Sequence, residues 1–146
     1  MPRSKEVEEL QNLLVELGRK LGYEAEKEYV DRRSAIRYDV AWYLKLPRWW
    51  LKAKECVGEE AEAEEDLVVA AFEIEHGDVQ TKYMRGDVYN VSLASFGFCI
   101  VKRNDIRRRM KKVLSEFART HGEKRVVIMS FEEAKKWCKE LLESER

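Results

Sequence analysis

The chain has 146 residues, 45% of them apolar, which matches one domain with one core. Its 28 Lys plus Arg balance 28 Asp plus Glu, which argues against a uniformly basic protein that coats nucleic acid or membrane by bulk attraction but leaves local patches open. The longest uninterrupted apolar run, Leu67 to Phe72, has six residues, far short of the roughly 20 a membrane-spanning helix needs, and the opening MPRSKEVEEL lacks the apolar stretch of a signal peptide, so a cytoplasmic location is expected.

Charged residues reach 38%, against about 25% in an average domain, with only two prolines and seven glycines. Dense mixed charge of this kind builds surface ion-pair networks at high temperature, so a thermophilic source is expected. Cys56, Cys99 and Cys138 are odd in number and show no CxxC spacing, which indicates three separate thiols and neither a zinc cluster nor a disulfide framework.

Val7, Leu10, Leu14, Leu17 and Leu21 recur at steps of three and four between a Ser4 N-cap and Gly22, the pattern of an amphipathic helix. From Tyr23 to Val30 and from Ala35 to Leu44 the period drops to two, placing Ile36, Tyr38, Val40, Trp42 and Leu44 on one face and Arg37, Asp39, Ala41 and Tyr43 on the other. A charged linking segment follows, and then Leu67 to Ile74, nearly all apolar, reads as a central strand covered on both sides. Asp78 is placed to cap a helix running to about Leu93, and Phe96 to Val101 reads as the fourth strand. Asn104 or Asp105 opens a helix with Ile106, Met110, Val113, Leu114, Phe117 and His121 on one face, closed by Gly122. Val126 to Met129 is a short fifth strand, and Ser130 with Glu133 forms a capping box for a last helix that buries Ala134, Trp137, Cys138 and Leu141. The expected order is αβββαβαβα: a single α/β domain with a mixed central sheet flanked by helices.

Asp39 and the pair Glu73 and Glu75 fall on strands that should be neighbours, and residues two apart on a strand share a face. Two carboxylates side by side repel, and a divalent cation resolves the repulsion; Mg²⁺ takes hard oxygen ligands and can activate water for phosphodiester attack. Solvent or Arg37 could satisfy the glutamates instead, and His76 and His121 are read as hydrogen-bonded or helix-end residues. The string RYDVAWY, a linker and VVAAFEIEHG, set within αβββαβ from about Ser4 to Val101, resembles the restriction-endonuclease-like PD-(D/E)XK superfamily. The resemblance implies a Mg²⁺-dependent endonuclease with Asp39 and Glu73 as metal ligands and Glu75 in the position usually held by lysine. Some members of that superfamily are active with glutamate there, and Lys82 could supply a displaced positive charge.

From Trp42 to Lys54 the chain reads WYLKLPRWWLKAK, with four aromatic residues, Lys45, Arg48, Lys52 and Lys54, and no acid. Rings interleaved with cations suit single-stranded nucleic acid, because every base can stack and phosphates seek the positive groups. Strand alternation sends Trp42 into the core and leaves Tyr43, Trp49 and Trp50 as the exposed stacking candidates; a loop pair covering the core edge or an oligomer contact is the plainer alternative. Between Lys102 and Lys112 stand seven basic residues and one acid, and arginines in the first turns of a helix oppose its dipole. That suggests an anionic partner for Arg107, Arg108, Arg109, Lys111 and Lys112, either phosphate or the run Glu59, Glu60, Glu62, Glu64, Glu65 and Asp66. Over its whole length, in size, composition and this strip, the chain resembles the archaeal ThermoDBP-related proteins. That resemblance implies single-stranded DNA binding by an oligomer on an endonuclease-like scaffold, without a cofactor.

The expected function is therefore largely sequence-independent binding of single-stranded DNA, with RNA also open. Tyr43, Trp49 and Trp50 would stack on bases, while Arg37, Arg48, Lys52, Lys54, Lys82, Arg85, Arg107 and Arg108 would contact phosphates. A Mg²⁺-dependent nuclease using Asp39, Glu73 and Glu75 is the alternative, and a homo-oligomer is expected in either case.

Overall fold

In the computed structural model, which describes residues 4–31, 34–60 and 66–144, the chain runs α1 (Lys5–Lys20), β1 (Glu24–Val30), β2 (Arg37–Lys45), α2 (Arg48–Cys56), β3 (Asp66–Glu75), α3 (Thr81–Ser92), β4 (Phe96–Val101), α4 (Asn104–His121), β5 (Val126–Ser130) and α5 (Phe131–Ser144). The strands form one sheet in the order β1-β2-β3-β4-β5. β1, β2 and β3 pair antiparallel, whereas β3, β4 and β5 pair parallel, each parallel step carried by a helical crossover. The result is the expected α/β domain, a mixed sheet between two helical layers.

Local chemistry accounts for most boundaries. The Ser4 hydroxyl accepts the Val7 N–H at 3.2 Å, capping α1, and Glu6 and Glu8 sit in its first turn where the dipole favours acids. At α5 the Glu133 carboxylate accepts the Ser130 N–H at 2.9 Å and the Ser130 hydroxyl accepts the Glu133 N–H at 3.0 Å, a complete capping box. One helix is not legible from the sequence: α2 occupies what reads as a charged linker, a short segment whose apolar residues Trp49, Trp50, Ala53 and Cys56 share one face yet bury nothing. A second boundary moves. α3 starts at Thr81 with Gln80 as its N-cap, not at Asp78, whose carboxylate instead lies 3.9 Å from both Arg103 and Arg109.

Two cores flank the sheet. Leu10, Leu14 and Leu17 of α1 pack with Trp42, Phe72, Ile100 and the α5 residues Phe131, Ala134 and Cys138. On the opposite face Met84, Val88 and Val91 of α3 and Ile106, Met110 and Val113 of α4 cover Tyr38, Ala41, Tyr43, Ala71 and Cys99. Gly18 of α1 lies directly against the Trp42 indole, which donates to the Leu14 carbonyl at 2.9 Å.

Strict alternation along β2 fails at one point. Tyr38 faces α3, whereas Val40 and Trp42 face α1, so the expected common face of Ile36, Tyr38, Val40, Trp42 and Leu44 is divided; Ile36 packs with Tyr38, and Leu44 is exposed. The reversal falls where Glu28, at φ 52, stands across from Asp39 between the Lys27–Val40 and Tyr29–Tyr38 pairs. There the Asp39 carboxylate, through Oδ2, accepts the Ile74 N–H at 2.6 Å, replacing a backbone ladder bond with a side-chain one.

Candidate functional site: a carboxylate cluster beneath a basic, aromatic face

β3 ends in FEIE, and its ladder with β4 sets Glu73 opposite Cys99 and Glu75 opposite Val101. Two apart on one strand, both glutamates turn toward the α3 face. α3 then contributes Asp87. One carboxylate oxygen from each of Glu73, Glu75 and Asp87 lies within 4.8 Å of the others, and all three side chains are half-buried. The cluster sits at the carboxyl ends of the parallel strands, where open α/β sheets bind ligands.

Burial first, then the hydrogen bond and charge of Glu75, and then the charge of Asp39, push the Asp87 carboxyl up to about 9, all acting in one direction. When both carboxyls are ionised, Asp87 Oδ2 is a buried oxygen with no donor. A proton shared with Glu75 supplies that donor, and a cation would do the same work by charge. Beneath the cluster the wholly buried Cys99 thiol is also pushed up, by burial and then by Asp87, Glu73 and Glu75. Three hard oxygen donors converging in a half-buried site fit Mg²⁺ or Mn²⁺.

Asp39 lies near enough for its charge to raise Asp87, yet it stands outside the three-carboxylate group, its Oδ2 held by the Ile74 N–H. Sequence reasoning missed Asp87. It was visible only as an acid inside an apolar stripe, three residues after Met84 and one before Val88, both wholly buried. Lys82 is exposed, with its ammonium 5.0 Å over the Tyr83 ring. His76 is exposed, 3.5 Å from Glu6 and packed beside Phe131, while His121 packs on Phe117 with ring centroids 4.4 Å apart.

The aromatic strip divides. Tyr43 is corrected from an exposed stacking residue to a core one: it is 7% exposed, with its ring 4.9 Å from Tyr29, because β2 is interior and covered on both faces. Trp49 and Trp50 project from α2 and are 73% and 44% exposed, edge to face at 6.4 Å. Arg48, Trp49, Leu51, Lys52 and Glu55 line an open groove of about 680 Å³. Arg48 and Lys52 are exposed, Lys54 is half-buried, and Arg37 is exposed at the start of β2.

The arginines at the head of α4 are compensated more fully than their sequence suggests. Arg107 pairs with Glu133 at 2.6 Å, Arg103 with Asp105 at 2.8 Å, and Arg109 donates to the Thr81 hydroxyl at 3.0 Å. Arg108 and Lys112 are exposed, as is Arg85 on α3. Of the acidic run, Asp66 accepts the Tyr29 hydroxyl at 2.9 Å and Lys45 at 3.2 Å. Glu59 and Glu60 are exposed, and residues 61–65 lie outside the described residues, as does any partner role for that segment.

Among the described residues no helix is long and apolar enough to cross a membrane. Comparison with protein-family models, with curated proteins and with solved structures finds no match to this chain.

Proposed function

We propose that this protein hydrolyses phosphodiester bonds of nucleic acid with a divalent cation held by Glu73, Glu75 and Asp87. The convergence of the three carboxylates within 4.8 Å carries this reading, with Asp87 raised to about 9 by burial and then by Glu75 and Asp39. A bound cation supplies a Lewis acid for a phosphoryl oxygen and lowers the pKa of water. The chain's own part is to hold the three oxygens together, with Asp39 fixed on the Ile74 N–H beside them and Cys99 closing the floor. Incubating single-stranded, branched and duplex DNA with Mg²⁺ or Mn²⁺ tests it, using Glu75→Gln and Asp87→Asn as controls. Cleavage by the parent chain that both substitutions abolish is expected. Cleavage surviving in both would remove the site from the reaction, and no cleavage of any substrate with either metal would remove the reading.

A second reading, binding of single-stranded DNA without cleavage, is favoured by Trp49 and Trp50 standing exposed beside Arg48 and Lys52 on a helix that buries nothing. Trp49→Ala should weaken oligo(dT) binding about tenfold, read by anisotropy of a labelled strand, since a stacked base is worth about 1–3 kcal/mol. An unchanged affinity would take α2 out of the interface.

A further inference from the structure

The outer face of α3 carries Lys82, Tyr83, Arg85, Gly86 and Tyr89, and the helix's single acid, Asp87, turns inward to the carboxylate cluster. Tyr83 and Tyr89 are 57% and 50% exposed. Gly86 is in the helix interior, where glycine costs about 1 kcal/mol relative to alanine. Nothing in the fold requires it, since a Cβ built there meets no atom within 4 Å. A small residue on an exposed, cationic, ring-bearing face makes room for something that approaches the backbone closely.

Between α3 and α4 lies a pocket of about 330 Å³, with Val113 as its floor and Arg85, Tyr89, Glu116, Phe117, Thr120 and His121 as its walls. Its volume is at the low end of the roughly 300–1,000 Å³ range of small-ligand pockets. Tyr89 and the packed pair Phe117 and His121 offer ring surfaces, Arg85 offers a cation, and Glu116 offers an acceptor. Stacking surface, one cation and one acceptor together complement one nucleotide: the rings take the base, the guanidinium takes the phosphate, and the carboxylate takes an exocyclic amino group.

We infer that the groove between α3 and α4 binds one unpaired nucleotide of a nucleic acid strand, with its base against Tyr89 and the Phe117–His121 pair, its phosphate on Arg85 and its backbone passing over Gly86. This deepens the nucleic-acid reading by naming the substrate class. A base inside a duplex cannot reach such a pocket unless it leaves the stack, so the strand is single, frayed or flipped. Glu116 selects cytosine, adenine or guanine over thymine.

The test is anisotropy of fluorescein-labelled oligo(dC) and oligo(dT) 12-mers in chelator, with the carboxylate cluster intact, so that a failure of the hydrolytic reading leaves it unaffected. Tyr89→Ala should weaken oligo(dC) binding about tenfold, and Tyr89→Phe should restore it, since the ring is what stacks. Gly86→Gln fits the open space and favours the helix, so it should fold at least as well as the parent yet bind about tenfold more weakly. Glu116→Leu should erase the preference for oligo(dC) over oligo(dT). Inorganic phosphate at equal concentration should displace neither strand. Parent-like binding by both Tyr89→Ala and Gly86→Gln, with unchanged circular dichroism, would overturn the inference, as would displacement by phosphate alone.

Discussion

Asp87 is the residue on which the chemistry of the core turns. Its carboxyl, raised to about 9, binds a proton in the folded chain that it would release near 3.8 when unfolded. Between those values the folded state holds more protons, so this group makes stability fall as pH rises from about 4 to 9. Glu6, Asp105 and Glu133 are lowered by their cationic or backbone donors, and their contributions are lost only as pH falls through the ordinary carboxylate range and below it. Urea midpoints at pH 5, 7 and 9 should therefore decline for the parent chain, and Asp87→Asn, which mimics the neutral acid, should flatten the decline. Because a cation must displace the same proton, its apparent affinity should rise over this pH range, and calorimetric titration with Mg²⁺ or Mn²⁺ checks it. The thiols give a separate check. Burial pushes Cys138 up to about 12 and raises Cys99 as well, whereas Cys56 is exposed, so a thiol reagent should modify Cys56 alone in the native protein.

At the scale of elements, α1 and α2 behave oppositely. Gly18 lets α1 rest on the Trp42 indole, and a Cβ at that position overlaps the ring. The ring cannot easily retreat, since it also packs on Tyr23, Phe72 and Trp137 with centroids 5.9, 4.9 and 6.1 Å away. Overpacking costs about 1–3 kcal/mol, and the helix-propensity gain of alanine returns about 1, so with the ring held on three sides Gly18→Ala should lower stability by up to about 2 kcal/mol in urea unfolding. α2 contributes no buried residue. Trp49→Ala should therefore leave the unfolding midpoint within about 0.5 kcal/mol of the parent, although the same change is expected to weaken DNA binding.

For the whole molecule, the balance of 28 cations and 28 anions is arithmetic and not spatial. Cations far along the chain meet an acid of α1 in local ties: Glu6 takes Lys102 of the β4–α4 turn at 2.7 Å and Lys135 of α5 at 3.4 Å. Arg48 and Lys52 on α2, and Lys82 and Arg85 on α3, remain exposed. If these four each neutralise one phosphate of a single strand, log affinity should fall with log salt at a slope of about −3, or about 50-fold between 50 and 200 mM. A slope near zero in the anisotropy titration would exclude these residues as phosphate contacts.

What the sequence determined by itself is the class of fold, the ends of most elements and two of the three carboxylates of the cluster. Period-two and period-3.6 patterns, the Ser4 cap and the Ser130–Glu133 box are local signals, and Glu73 and Glu75 share a face by strand geometry alone. Tertiary structure decided the rest. Asp87 joined the cluster because α3 packs its apolar stripe back onto β3, a contact that no local spacing encodes. Tyr43 became core because both sheet faces are covered, and α2 stands outside both cores with its stripe of Trp49, Trp50, Ala53 and Cys56 left exposed. The sequence groups Asp39 with Glu73 and Glu75, but its commitment to the Ile74 N–H depends on two strands meeting where the ladder breaks, a consequence of packing and not of sequence order.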